Sequence, residues 1–212
     1  YLPFPAPRLG PAQTRGGMTD PGSCRLCAQD FARTATAHEP RPILWARPTA
    51  RILIAGQAPG LRVHQSGVPF DDRSGDRLRD WLGLDRARFY DRDRVAVVPM
   101  AFCFPGYDAR GADLPPPRRC TDTWRTGVLA QLTDLRVTFV IGQYAQRWHL
   151  GAQATRGGVT ATVAGWRDHA PRLFPLPHPS WRNNAFLRRN PWFESDLLPA
   201  ARDAVEAALG DG

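Results

Sequence analysis

Four short apolar runs set the frame of the chain. Residues 51–55 (RILIA), 95–100 (VAVVPM) and Val137–Ile141 (VTFVI) are continuous rather than alternating, the pattern of strands buried on both faces. The first ends at Gly56 and the third at Gly142, while Pro99 has no N–H and ends the ladder of the second. Leu173–Leu176 (LFPL) predicts a fourth strand, weakened by Pro175, that delivers His178-Pro179-Ser180 at its carboxyl end. Helical patterns separate these runs. They fall near residues 28–36, over 74–84 with Leu78, Trp81 and Leu82 at helical spacing, over 122–132, over 143–150 ending at Gly151, and over an amphipathic closing stretch at 192–209. Residues 56–70 and 104–117 read as loops; the latter holds four prolines, two glycines and two aspartates, all turn formers. Strands alternating with helices predict a three-layer α/β/α sandwich around a central, mostly parallel four-stranded sheet. Sites in such sheets lie outside the carboxyl ends of the strands, where residues 56–60, Cys103 and His178 emerge.

A chain of 212 residues is comfortable for one domain, expected over 23–212. Residues 1–22 are rich in Pro and Gly and predict an extended arm, with Met18 as a natural start within it. Hydrophobic content of 42% and charged content of 23% are those of a soluble globular protein. No apolar run spans a bilayer and no secretory leader opens the chain, so the expectation is a cytoplasmic protein of a bacterial cytosol or nucleoid, without a membrane and monomeric. Composition adds one directional signal. The net charge is +8 and all 28 basic residues are arginine, the mark of a GC-rich genome in its lack of lysine. A compact basic surface attracts polyanions, and arginine–phosphate contacts supply most non-specific nucleic-acid affinity.

The cysteines number four, Cys24, Cys27, Cys103 and Cys120, as C-x2-C, a long gap and C-x16-C. Disulfides are disfavoured in the cytosol, and a chain this long does not need them. Two ligands on a tight turn and two flanking a loop predict one tetrahedral thiolate centre, for which zinc and an iron–sulfur cluster both remain open.

Gly56-Gln57-Ala58-Pro59-Gly60 follows a strand directly, so its backbone N–H groups can face a carbonyl or a phosphate. Phe70, followed at once by Asp71 and Asp72, predicts an aromatic at the rim of a polar site. His178 at a strand end can donate a hydrogen bond to a developing oxyanion.

With these residues assembled, the chain resembles the uracil-DNA glycosylase superfamily, closest to its iron–sulfur branch, family four. The resemblance rests on GQAPG with GVPFDDRSGDRL, the cysteine framework, VTFVIGQYAQRWHLG and LPHPS, in the family's order from Cys24 to about Arg202. It implies a [4Fe–4S] cluster, with zinc as the lesser alternative, tying the N-terminal arm and the 104–119 loop to a DNA-facing edge. It also implies a monofunctional DNA glycosylase that flips uracil or another deaminated or damaged base from single-stranded DNA or a damaged duplex. Phe70 would stack on that base, Gln57 and Ala58 would contact its carbonyl, and His178 would stabilise its departing charge. Ser180 would hold a phosphate, and Trp181, Arg182, Asn183 and Arg188 would enter the minor groove.

Three departures bear on activity. Gln57 stands where family four carries an acid, and an amide orients a water but cannot take its proton. Leu61-Arg62-Val63-His64 replaces an acidic cluster, which leaves Asp71, Asp72 or His64 as substitutes, His64 also as a nucleophile. Pro99 replaces the asparagine that reads uracil. The alternative expectation is therefore a catalytically weak or inactive iron–sulfur DNA-binding protein of the same fold.

Overall fold

A computed structural model of the protein describes residues 20–210. The arm expected over 1–22 lies outside the described residues up to position 19, as does Met18. The described chain opens with a 3-10 turn at Pro21–Ser23, capped by Asp20, whose carboxylate accepts from the Gly22 N–H at 2.9 Å.

The fold is a three-layer α/β/α sandwich around four parallel strands, β1 (Ile52–Ala55), β2 (Val95–Val97), β3 (Val137–Ile141) and β4 (Leu173–Leu176). Their spatial order is β2-β1-β3-β4. The apolar runs predict this arrangement because every residue of all four strands is buried, as required when helices cover both faces. Ile54, Val97, Phe139 and Phe174 point into one core with Leu78, Trp81, Phe193 and Val205, whereas Leu53, Ala96, Val98 and Val140 point into the other with Trp124 and Val128.

The helices are α1 (Ala28–Phe31), α2 (Leu61–Ser66), α3 (Arg73–Leu82), α4 (Arg86–Phe89), α5 (118–129), α6 (Gly142–Ala154), α7 (Gly158–Ala164), α8 (Asn184–Arg189) and α9 (193–209). Three features have simple causes, the first two as expected and the third a departure. β2 stops at Val97, because Pro99 cannot continue a ladder. β4 accommodates Pro175 because it is an edge strand. The expected loop at 56–70 contains α2, a helix too short, with Val63 as its buried residue, to leave a periodic signal. Gly151 interrupts α6 with φ 84°, at the position where the helix was expected to end. Both α5 and α9 contain five residues with π-type bonding, Thr121–Arg125 and Phe193–Leu197. Among the described residues, no helix is long and apolar enough to cross a membrane.

Candidate functional site

A cleft of about 620 Å³ opens at the carboxyl edge of the sheet. Its lining includes Gln57, Ala58, Phe70, Asp72, Ser180, Trp181, Arg182, Asn183 and His178. Residues from three separate stretches of sequence therefore meet where the strands end, as an open parallel sheet requires.

The glycine loop is fixed from behind. The Gly56 carbonyl accepts from Met100 N–H at 2.9 Å and the Gln57 carbonyl from Ala101 N–H at 3.0 Å. Among the described residues, the N–H groups of Gln57 and Ala58 meet no backbone acceptor, so they can serve a ligand. The Gln57 side chain lies against Gly142, where φ is +78° and an added Cβ would come within 3.4 Å of the amide carbon.

Phe70 sits across from that loop. Its ring tip faces Gly56 so closely that a Cβ on the glycine would lie 3.5 Å away. Its backbone has φ +54°, the left-handed region that costs a non-glycine residue energy and needs support from its surroundings. The support is a clamp on its carbonyl. Arg79 Nη1 donates to it at 3.2 Å and the Tyr90 hydroxyl lies 3.1 Å away. Gly75 passes directly beneath, where any Cβ would overlap the Phe70 carbonyl oxygen. Gly75→Ala is therefore expected to lower stability by about 1–3 kcal/mol, measured by urea unfolding, and to displace the Phe70 ring.

The segment carrying His178 is tied down in two ways. Asn183 Nδ2 donates to the His178 carbonyl at 2.7 Å, and Arg77 Nη1 donates to the Ser180 carbonyl at 3.2 Å and to Asn184 Oδ1 at 2.8 Å. Behind it, buried Gln146 donates to the Leu176 carbonyl at 2.9 Å. Burial lowers the His178 pKa below its usual value, while Asp72 and Asp113 pull it up and Arg182 pushes it down. The imidazole is thus neutral at neutral pH and carries one N–H to donate.

Other expected residues fall elsewhere. Asp71 is ion-paired with Arg86 at 3.1 Å and is not part of the cleft lining. Asp72 lines the cleft but spends one oxygen capping α3 through the Gly75 N–H at 2.8 Å. His64 packs against His38 and Phe104 with ring centroids 5.0 and 5.9 Å away, outside the cleft lining. Arg188 is exposed on α8, likewise outside the lining. Trp181 is 72% exposed at the rim, with the Arg182 guanidinium 6.0 Å from the centre of its ring.

Arg77, Arg79, Tyr90 and Asp113 escaped the sequence reading. Six prolines, Pro59, Pro69, Pro99, Pro105, Pro115 and Pro116, line the same cleft; their abundance in the sequence was the visible signal, but not their convergence.

The cysteines require a correction. All four are free, buried thiols lining one cavity of about 20 Å³, with room for little more than a water. Among the described residues, no group of three or more His, Cys, Asp or Glu side chains is placed to hold a metal ion. Neither the expected [4Fe–4S] cluster nor its zinc alternative is supported, and the expectation of a metal-binding protein falls with them. The apolar surroundings explain the state of the sulfurs. Burial pushes the Cys103 and Cys120 thiols up to about 12, which keeps them protonated. Cys24 Sγ accepts from Trp124 Nε1 at 3.3 Å, and Cys120 Sγ from Phe102 N–H at 3.4 Å. Cys27 and Cys103 pack with Phe31 as a small apolar cluster.

Fold and cleft together define an α/β protein with an open cleft at the carboxyl edge of a parallel sheet. Residues 45–202, well over half of the chain, match the uracil DNA glycosylase superfamily, and the chain belongs to that superfamily. The match covers the glycine loop, Phe70 and His178 and begins beyond Cys24 and Cys27.

Proposed function

We propose that the protein is a monofunctional DNA glycosylase that cleaves the N-glycosidic bond of a flipped uracil or other deaminated or damaged base. The observation that carries this reading is the meeting of Phe70, the free N–H groups of Gln57 and Ala58, and a neutral His178 around one cleft. An extruded base would stack on Phe70, present a carbonyl oxygen to the loop N–H groups, and leave as an anion. His178 would stabilise that charge by donating its N–H, an interaction strengthened where water is excluded. Extrusion costs least for bases that are mismatched or already unstacked.

DNA would approach over the 180–189 segment. Ser180 and Arg182 would hold phosphates beside the flipped nucleotide, with Arg188 further along α8. Exposed Trp181 would fill the gap left in the stack. Asn183 contributes chiefly by holding the His178 backbone. Within the superfamily, GQAPG, GVPFDDRSGDRL and LPHPS run in the order of family four, without that branch's metal centre being carried over.

The test is an excision assay on single-stranded and mismatched oligonucleotides carrying a panel of modified bases. Base-specific abasic product, lost in His178→Ala, is the expected result; no abasic product from any base would refute the reading. Gln57 and Pro99 on the cleft wall favour a second one, a protein of this fold that holds damaged DNA with little or no cleavage. Tight binding to damaged DNA without product would select it.

A further inference from the structure

The glycosylase reading leaves the attacking water without an activator. Gln57 cannot accept its proton. Asp71 is ion-paired and outside the lining, Asp72 lines the cleft but spends one of its oxygens on the α3 cap, and His64 is packed with His38 and Phe104. Another carboxylate does line the cleft, on the segment that reads from sequence as featureless loop.

Residues 104–117 fold into a small ribbon. Tyr107 and Asp113 form an antiparallel bridge, Leu114 N–H donates to the Gly106 carbonyl at 2.9 Å, and Asp108 N–H to the Ala112 carbonyl at 2.9 Å. The two aspartates of the ribbon have different duties. Asp108 ties off the turn, its Oδ1 accepting from the N–H groups of Arg110 at 2.8 Å and Ala112 at 2.9 Å. Asp113 is held by its backbone alone, with no side-chain hydrogen bond among the described residues, and stands in the cleft wall. Its carboxylate acts on His178, and Arg182 and His178 act on it in turn.

We propose that Asp113 is the general base of this cleft, taking the proton of the water that attacks the sugar while His178 receives the departing base. Resting as it does on the glycosylase reading, the step balances as follows. The C1′–N bond breaks and its electron pair leaves with the base, whose negative oxygen accepts the His178 N–H. The water oxygen forms the new bond to C1′, and its proton passes to the Asp113 carboxylate, later to solvent. A carboxylate near the cleft also favours the positive charge that develops on the sugar. Partial burial raises the Asp113 pKa above the usual carboxylate value, with Arg182 and His178 opposing that rise. The raised pKa makes it a stronger base than an exposed aspartate.

The experiment is single-turnover excision at saturating enzyme, with Asp113→Asn, Asp113→Glu and His178→Ala, on the best substrate of the base panel. Asp113→Asn should slow release by about 100-fold or more at unchanged DNA affinity and unchanged melting temperature, and Asp113→Glu should recover part of the rate. The base must be ionised, so the wild-type rate should fall as pH drops through the raised Asp113 pKa. That acidic limb should persist in His178→Ala and vanish in Asp113→Asn. An Asp113→Asn rate within about threefold of wild type would overturn the proposal while leaving the glycosylase reading intact. So would a loss explained by weaker DNA binding with the acidic limb unchanged. A wild-type protein that releases no base would sink both.

Discussion

Replacing His178 with alanine should lower the single-turnover rate of base release by about 100- to 1,000-fold, the range found when one donor to a developing oxyanion is removed. DNA affinity, measured by fluorescence anisotropy, should hardly change, because the phosphate and stacking contacts assigned to Ser180, Arg182 and Trp181 remain. The side chain is held through its backbone, by Asn183 on its carbonyl and by Gln146 on the Leu176 carbonyl just upstream. Truncation therefore removes a donor without releasing the strand end. Equal rates for His178→Ala and wild type would mean that the leaving group is stabilised elsewhere.

The second large effect concerns stability. Arg125→Met should destabilise the protein by about 2–5 kcal/mol in urea unfolding, the cost of leaving buried acceptors unpaired. Arg125 is 0% exposed. Its Nη1 donates to the carbonyls of Val98 at 2.9 Å and Pro99 at 2.8 Å, its Nη2 donates to His149 Nε2 at 2.7 Å, and its guanidinium lies 4.8 Å from the centre of the Trp148 ring. Desolvation lowers its pKa to about 9, which leaves it charged at neutral pH, with no carboxylate hydrogen-bonded to it among the described residues. His149 must accept at Nε2, so its proton is on Nδ1 and the ring is neutral, in agreement with its lowered pKa. The carbonyls that Arg125 holds belong to the turn after β2, and Pro99 of that turn is part of the cleft wall. Loss of stability should therefore be accompanied by weaker activity. A methionine variant as stable as wild type would show that the two carbonyls find other donors.

The sheet was legible in the sequence because its signal is local. Residues buried on both faces make unbroken apolar runs, and β3 and β4 fall at the expected positions. His178 and the glycine loop were legible for a related reason: each directly follows such a run. What escaped notice depends on contacts far apart in sequence. Arg125 in a helical window reads as a solvent-facing residue, and nothing local announces that π-type bonding at Thr121–Arg125 accompanies burial of both Trp124 and Arg125. Asp113 lies amid prolines and glycines without periodicity, and its meaning comes from His178, distant in the chain. The cysteines show the opposite failure. Their spacing was a strong local pattern, and it brought four thiols to one small cavity without producing a metal site.

The proline wall has a thermodynamic consequence for selectivity. Pro59, Pro69, Pro99, Pro105, Pro115 and Pro116 have no N–H to offer and little torsional freedom left to lose. The ordering of that wall is settled when the chain folds, so a ring entering it meets a mould rather than a surface that must rearrange. Such a mould discriminates by outline. On the proposed reading it would turn away what is too bulky, while the few donors at Gln57, Ala58 and His178 would decide among rings of similar shape. On the proposed glycosylase reading, a proline at position 99 instead of an amide leaves fewer partners to enforce the choice between a keto and an amino edge, and tolerance of several altered bases is the expected outcome.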